Sequence, residues 1–200
     1  LRLQDAPQAI FDFLGNENID IDVLVNNAGF GFVGEFADIA IQRELDMIQV
    51  NIAALTHLTK LFIPPMIKRG SGRVLNVAST AAFQPGPLMA VYYATKAYVL
   101  SFSEALSEEL RNTGVTVTAL CPGPTHTDFA EAAQMTNSRL FHTFGVADPA
   151  DVAKYGFDAM MQGKRLAIPG FTNKVIAQAN RFAPRTLTAK IARILQESRN

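Results

Sequence analysis

Apolar positions along the chain fall into two alternating patterns. Short unbroken runs end in turn-forming residues: residues 20–25 (Asp-Ile-Asp-Val-Leu-Val) stop at Asn26-Asn27-Ala28-Gly29, and residues 72–78 stop at Ser79-Thr80. Residues 115–120 stop at Cys121-Pro122-Gly123, and residues 165–168 stop at Pro169-Gly170. Runs of this length with such ends predict buried strands. Between them the spacing turns helical. Leu45, Ile48, Ile52, Leu55, Leu58 and Phe62 predict a helix over 39–68, and Pro64-Pro65 is expected to kink it near its end. Tyr92, Lys96, Val99, Phe102, Leu106 and Leu110 predict a second helix over 91–111, stopped by Asn112-Thr113-Gly114. Asp148-Pro149 opens a third over 150–162, and two short helices follow, split near Ala183-Pro184. Residues 1–19, with Ala9, Ile10, Phe13 and Leu14, also read as helix, and 124–145 as an irregular loop with some helix. Strand–helix alternation means βαβ units and a parallel sheet with right-handed crossovers. The expected architecture is a three-layer α/β, Rossmann-like sheet with helices on both faces. The expected division is a sheet domain over 1–170 and a basic helical extension over 171–200.

Composition narrows the function. The 200 residues are 48% apolar, enough for one sizeable core, and only 18% charged. That argues against disorder and against a nucleic-acid binder built on bulk charge. The single cysteine, Cys121, excludes an internal disulfide and a thiolate zinc cluster. His57, His126 and His142 lack ligand spacing, so no metal is expected. No apolar run approaches the roughly 18 residues of a membrane span, and no signal peptide is evident, so the expected compartment is the cytoplasm. Zero net charge hides an asymmetry. Residues 164–200 hold eight Lys/Arg and one acid, Glu197, while 1–163 hold ten Lys/Arg and 17 acids. The ordinary reading is two solvated surfaces. The sharper one is a basic amphipathic end that touches an anionic membrane or a partner subunit.

In open parallel sheets, ligands sit beyond the carboxyl ends of the strands. Each strand here ends in reactive or glycine-rich sequence. Tyr92 and Lys96 are four apart on one helix and share a face. A free phenol titrates near ~10, too high for a good base at neutral pH. A cation within about 4–6 Å favours the phenolate, so Lys96 is expected to depress the Tyr92 pKa. Tyr92 would then serve as acid–base, with Ser79 hydrogen-bonding the same substrate oxygen. Asn51, in the preceding helix, could extend a proton relay from Lys96 through water.

Asn26-Asn27-Ala28-Gly29, Asn51, Ser79, Tyr92-Tyr93-Ala94-Thr95-Lys96 and Pro122-Gly123-Pro124-Thr125 occur in the order and spacing of the short-chain dehydrogenase/reductase family, which the chain resembles from residue 20 to about 170. Tyr-x-x-x-Lys alone is weak; five motifs in register are not. The resemblance implies an NAD(P)-dependent oxidoreductase interconverting an alcohol and a ketone or aldehyde. Tyr92 would be the acid–base, Lys96 its partner and ribose ligand, Ser79 the substrate-oxygen ligand and Asn51 the relay residue. Asn26, Ala28 and Gly29 would stabilise the sheet and line the adenosine side of the cofactor. Pro122, Gly123, Thr125 and Thr127 would lie against the nicotinamide. Tyr93, on another helix face, reads as packing. The resemblance also implies a homo-oligomer, with the helices at 39–68 and 91–111 packed against their copies.

The chain departs from the family pattern at its start. Members begin with a strand and a glycine-rich pyrophosphate turn, followed by a residue that selects NAD or NADP. Neither precedes Leu1, so the first three strands of the family's sheet are expected to be missing and the strand at 20–25 to form an open edge. The chain acting alone is expected to bind dinucleotide weakly. A catalytically silent remnant that serves as an interaction surface is the alternative reading. Gly29-x-Gly31-x-x-Gly34 matches the dinucleotide fingerprint literally, but no second strand ending in an acid follows. It reads as a glycine turn at the rim of the site. Cys121 reads as a small buried filler. Phe83, Pro85, Leu88 and Met89 before Tyr92, with Phe129, Met135, Phe141 and Phe144 after Pro122, point to a hydrophobic alcohol or ketone as substrate.

Overall fold

The computed structural model describes residues 1–129, 133 and 145–196. Met135, Phe141, Phe144, His142 and most of the 124–145 loop lie outside them. Four parallel strands form one sheet: β1 (Val23–Asn26), β2 (Gly72–Val77), β3 (Val115–Leu120) and β4 (Leu166–Ala167), in the order β1-β2-β3-β4. Seven helices accompany them among the described residues. They are α1 (Ala6–Asn16), α2 (Ile41–Ile48), α3 (Leu55–Arg69), α4 (Ala90–Glu109), α5 (Pro149–Met161), α6 (Phe171–Phe182) and α7 (Arg185–Gln196).

Side chains alternate across the strands and give the sheet two packed faces. Val74, Val115 and Val117 meet Leu58, Phe62, Ile63 and Met66 of α3, with Phe11 and Leu14 of α1 behind them. Leu75, Leu120 and Ala167 face the other way onto Val152, Ala159 and Met160 of α5. The three-layer α/β arrangement is therefore present. Each fully buried Val or Leu contributes about 1.5–3 kcal/mol.

Local sequence explains the boundaries. Asp148 caps α5, its Oδ1 accepting from the backbone N–H of Ala150 (2.8 Å) and Asp151 (3.3 Å), with Pro149 in the first turn. α3 ends on Gly70 at φ +68°. Gly114, at φ +79°, starts β3 beside it; a Cβ there would lie 1.9 Å from the Gly70 carbonyl oxygen, so only glycine lets the two turns touch. β1 starts later than the apolar run suggests. Asp20 and the carbonyl of Ile21 are instead held by Arg69, at 3.1 and 2.6 Å.

Pro64 and Pro65 lie inside α3, which runs through them to Arg69. Pro64 and Lys60, the residue whose carbonyl loses its partner, are both exposed, which leaves that carbonyl open to solvent. The irregularity comes earlier, in a π-helical stretch over Gln49–Ala54 that joins α2 to α3. The continuous helix Ile41–Arg69 is long and apolar enough to cross a membrane by length and composition alone, but its apolar face (Met47, Leu55, Leu58, Phe62, Met66) is buried in this fold. In α1 the buried stripe is Pro7, Phe11 and Leu14, whereas Ile10 and Phe13 are exposed. β1 pairs on one side only, and Val23 and Val25 on it are exposed, as an open edge requires.

Candidate active site

The carboxyl ends of β1, β2 and β3 open into a cavity of about 900 Å3, roofed by α6 and α7. Main-chain bonds carry the sheet past the strand ends: Ala78 N–H donates to Leu120 O (2.8 Å), Thr80 N–H to Pro122 O (2.9 Å) and Cys121 N–H to Ala167 O (2.8 Å). The loops that carry the chemistry are thus held as firmly as the strands.

A buried polar line anchors these ends from below. Asn26 Nδ2 donates to Asn76 Oδ1 (2.8 Å) and Thr59 Oγ1 (3.0 Å), and Asn76 Nδ2 donates to Ser103 Oγ (2.9 Å). Asn26 and Ala28 are absent from the cavity lining, whereas Asn27 and Gly29 belong to it. Asn26 therefore acts on the sheet and not on the cavity wall.

Ser79, Tyr92 and Lys96 share the cavity floor. Ser79 follows β2 and caps a short 3-10 turn (Thr80–Phe83), its Oγ accepting from Ala81 N–H at 3.1 Å. Tyr92 and Lys96 lie one turn apart on α4, both buried. Burial pushes the Tyr92 phenol well above its ordinary value, and a hydrogen bond with Ser79 offsets only part of this. Desolvation, not the charge of Lys96, is thus the largest influence on the Tyr92 phenol in this cavity. The Lys96 ammonium lies 5.8 Å from the Tyr92 ring centre and donates to Val77 O at 2.8 Å. Burial lowers its pKa from 10.5 to about 8.

Asn51 sits in the π-helical stretch, 1% exposed. Its amide brackets Phe30, accepting from the N–H (3.1 Å) and donating to the carbonyl (3.0 Å), and donates to Thr95 Oγ1 (3.1 Å). It makes no hydrogen bond to Lys96, its neighbour through Thr95. The glycines beside it explain the fingerprint look-alike. A Cβ at Gly29 would lie 3.2 Å from Asn51 Oδ1 and 3.3 Å from Lys96 Nζ, and one at Gly31 would lie 2.8 Å from the Tyr92 ring. At these positions the side chains of Asn51, Lys96 and Tyr92 leave no room for a Cβ without a shift.

Pro122, Gly123, Thr125 and Thr127 all border the cavity. Gly123 lets α6 approach, since a Cβ there would lie 2.7 Å from the Asn173 amide. Cys121 is fully buried, and burial pushes its thiol up to about 12. Of the apolar residues flagged for substrate contact, Met89 and Phe129 line the cavity, and Phe129 packs on Tyr92 at 5.2 Å. Phe83 turns into the core instead.

Further polar residues line the cavity, among them Gln84, Tyr93, Asn180 and Gln196. Gln196 Nε2 donates to the Tyr93 hydroxyl at 2.6 Å, and Asn180 Nδ2 donates to Gln84 Oε1. Tyr93 is thus more than the packing residue its position suggested. The inward spacing of Asn173, Ile176 and Asn180 along the α6 sequence was the available signal.

A nicotinamide cofactor fits the floor. The buried Lys96 ammonium spends one of its three N–H donors on Val77 and has two left for an occupant of the cavity that it lines. Gly29, Gly123 and Thr125 border the same space.

Comparison with known proteins places these features in a family. Residues 2–138 match the family model for short chain dehydrogenases. An uncharacterised oxidoreductase of Bacillus subtilis is 41% identical over 113 residues, which is 56% of this chain and 43% of that protein. The ketoacyl reductase HetN of Nostoc sp. is 40% identical over 103 residues, covering 52% of this chain and 36% of that one. The chain thus spans less than half the length of these curated relatives. A short-chain dehydrogenase from Sphingobium yanoikuyae in complex with NADPH superposes with a TM-score of 0.78 at 27% identity, covering 94% of this chain and 72% of its own. From Asn26-Asn27-Ala28-Gly29 through Tyr92 and Lys96 to the Pro122–Thr125 loop, this chain belongs to the short-chain dehydrogenase family.

Proposed function

We propose that the chain carries the catalytic centre of an NAD(P)-dependent oxidoreductase that interconverts a hydrophobic ketone or aldehyde with its alcohol. The observation that supports it best is the convergence of Ser79, Tyr92 and Lys96 on one cavity of about 900 Å3 with a mainly apolar wall. Lys96, Gly29, Pro122, Gly123, Thr125 and Thr127 border the space where the nicotinamide and its ribose would be held, and Asn26 and Ala28 support that wall from the sheet side. When bound, the cofactor supplies or accepts the hydride at the substrate carbon. Tyr92, kept protonated by burial, gives its hydroxyl proton to the substrate oxygen in the reducing direction. Ser79 holds that oxygen by a hydrogen bond, and Lys96 steadies the phenolate left behind. In oxidation the same proton returns to Tyr92. Asn51 is a positioning residue: it fixes the Phe30 backbone and Thr95, next to Lys96. The ketoacyl reductase among the relatives and the apolar walls favour a bulky or acyl-chain ketone. The exposed Ile41, Leu45, Ile48 and Tyr98 on α2 and α4 suit assembly with further copies. The cytoplasm, where NAD(P) is abundant, is the proposed compartment.

Turnover of a panel of hydrophobic ketones with NADPH or NADH tests the reading. Tyr92→Phe is expected to reduce kcat by about 10²–10⁴-fold without loss of fold. Unchanged turnover in that variant would refute the acid–base role. A full-length parent protein that neither turns over ketones nor enhances nicotinamide fluorescence would instead favour the silent interaction module.

A further inference from the structure

The two helices that roof the cavity have outer faces with an unusual composition. On α6, Asn173, Ile176 and Asn180 face the cavity. Phe171, Val175 and Phe182, spaced four and seven apart, form the opposite stripe. Phe171 is 82% exposed and Phe182 88%. Singly exposed aliphatic residues are ordinary; two nearly naked phenylalanines on one stripe are not. On α7, Thr188, Leu195 and Gln196 face the cavity, and Leu187, Ile191 and Ile194 are each about half exposed. Ile191 also lines the cavity, so the exposed apolar surface runs up to the cavity rim.

The charges these two helices carry are mostly of one sign. Residues 171–196 contain Lys174, Arg181, Arg185, Lys190 and Arg193 and no acid, although Glu197 follows directly and Glu35 pairs with Arg193 at 2.6 Å. Lys174, Arg185 and Lys190 are exposed. An apolar stripe flanked by cations on a surface helix is the composition that lies in a bilayer interface, with rings at the acyl boundary and cations among anionic headgroups.

We infer that the outer faces of α6 and α7 dock this protein on an anionic phospholipid surface, with Phe171 and Phe182 inserted and Lys174, Arg185 and Lys190 paired to headgroups. Charge favours this occupant over a second copy of the chain. A two-fold contact brings the same patch against itself, and here it would set cations against cations. On the membrane, the cavity rim at Ile191 meets the acyl layer, so an apolar molecule can pass between bilayer and cavity without crossing water. The docking itself does not depend on the redox reading.

Co-sedimentation of the full chain with vesicles tests it. Binding is expected to phosphatidylglycerol vesicles but not to phosphatidylcholine vesicles, and to fade as salt rises from about 0.1 M to about 1 M. Lys174→Glu with Lys190→Glu should weaken it by at least about twentyfold, at about fivefold per cation lost. Phe171→Ser with Phe182→Ser should abolish it with the melting temperature unchanged, since both rings are exposed. Failure of the wild-type chain to pellet with phosphatidylglycerol at low salt would overturn the inference. So would full binding by the phenylalanine variant. A drop in oligomer mass caused by that variant, with no vesicle binding by the wild type, would assign the face to subunit contact instead. None of these readouts involves turnover, so a failed dehydrogenase assay leaves the outcome intact.

Discussion

Replacing Lys96 with Met should make the protein more stable at neutral pH while removing its proposed activity. Lys96 is 6% exposed and its pKa falls from 10.5 to about 8 through desolvation. The gap of roughly 2.5 corresponds to about 3 kcal/mol disfavouring the charged folded state, at about 1.4 kcal/mol per pKa unit. Met fills similar space without charge. It also leaves the Val77 carbonyl without its donor, a loss of about 1 kcal/mol. The net gain is about 2 kcal/mol, or roughly 4–8 °C in Tm for a chain of this size. The pH dependence is the sharper test. The folded pKa lies below the unfolded one, so between pH 8 and 10.5 the unfolded state binds more protons and wild-type stability rises with pH. The advantage of Lys96→Met should be full below pH 8, shrink above it and vanish or reverse near 10.5. Urea unfolding of both proteins at a series of pH values, at constant m, measures this. A variant less stable than wild type at pH 7, or a difference flat across the range, would refute the reasoning.

Other perturbations follow from the packing. Gly31→Ala places a methyl 2.8 Å from the Tyr92 ring, so it should cost about 1–3 kcal/mol and lower kcat more than it raises KM; denaturant titration and steady-state kinetics read the two effects. Asn76→Leu strips buried partners from Asn26 and Ser103 and should cost about 1–3 kcal/mol in urea unfolding. Gly114→Ala meets both a left-handed backbone and the Gly70 carbonyl, and should lower stability by more than about 2 kcal/mol in thermal melts, with ligand affinity at the distant cavity unchanged in the folded fraction.

The features that sequence made legible are those written in neighbouring residues. Four apolar runs before Gly, Pro or Ser marked the strands, and Asp148-Pro149 marked the start of α5. The four-residue spacing of Tyr92 and Lys96 placed both on one face of α4. What escaped depends on residues far apart in the chain. Tyr93 gains its role from Gln196, over a hundred positions away, and nothing local to either residue announces the pairing. The π-helical stretch at Gln49–Ala54 carries no local signature; Asn51 is drawn into the Phe30 loop by bonds across the site. The desolvation that raises the Tyr92 pKa has no local signature either: helical proximity of a cation is visible in sequence, whereas desolvation is a property of the whole cavity.

The amide line beneath the site also acts as a ruler. Asn26 and Asn76 are register partners, and Asn76 pairs with Ala119. Counting three residues onward from each gives Gly29, Ser79 and Pro122, all at the cavity. A slip of one residue between strands would turn an asparagine onto the opposite side and strand its amide among aliphatic neighbours. The alignment of the three cavity loops is thereby decided in the sheet beneath them, so the loops above are free to diverge in sequence while their relative height stays the same.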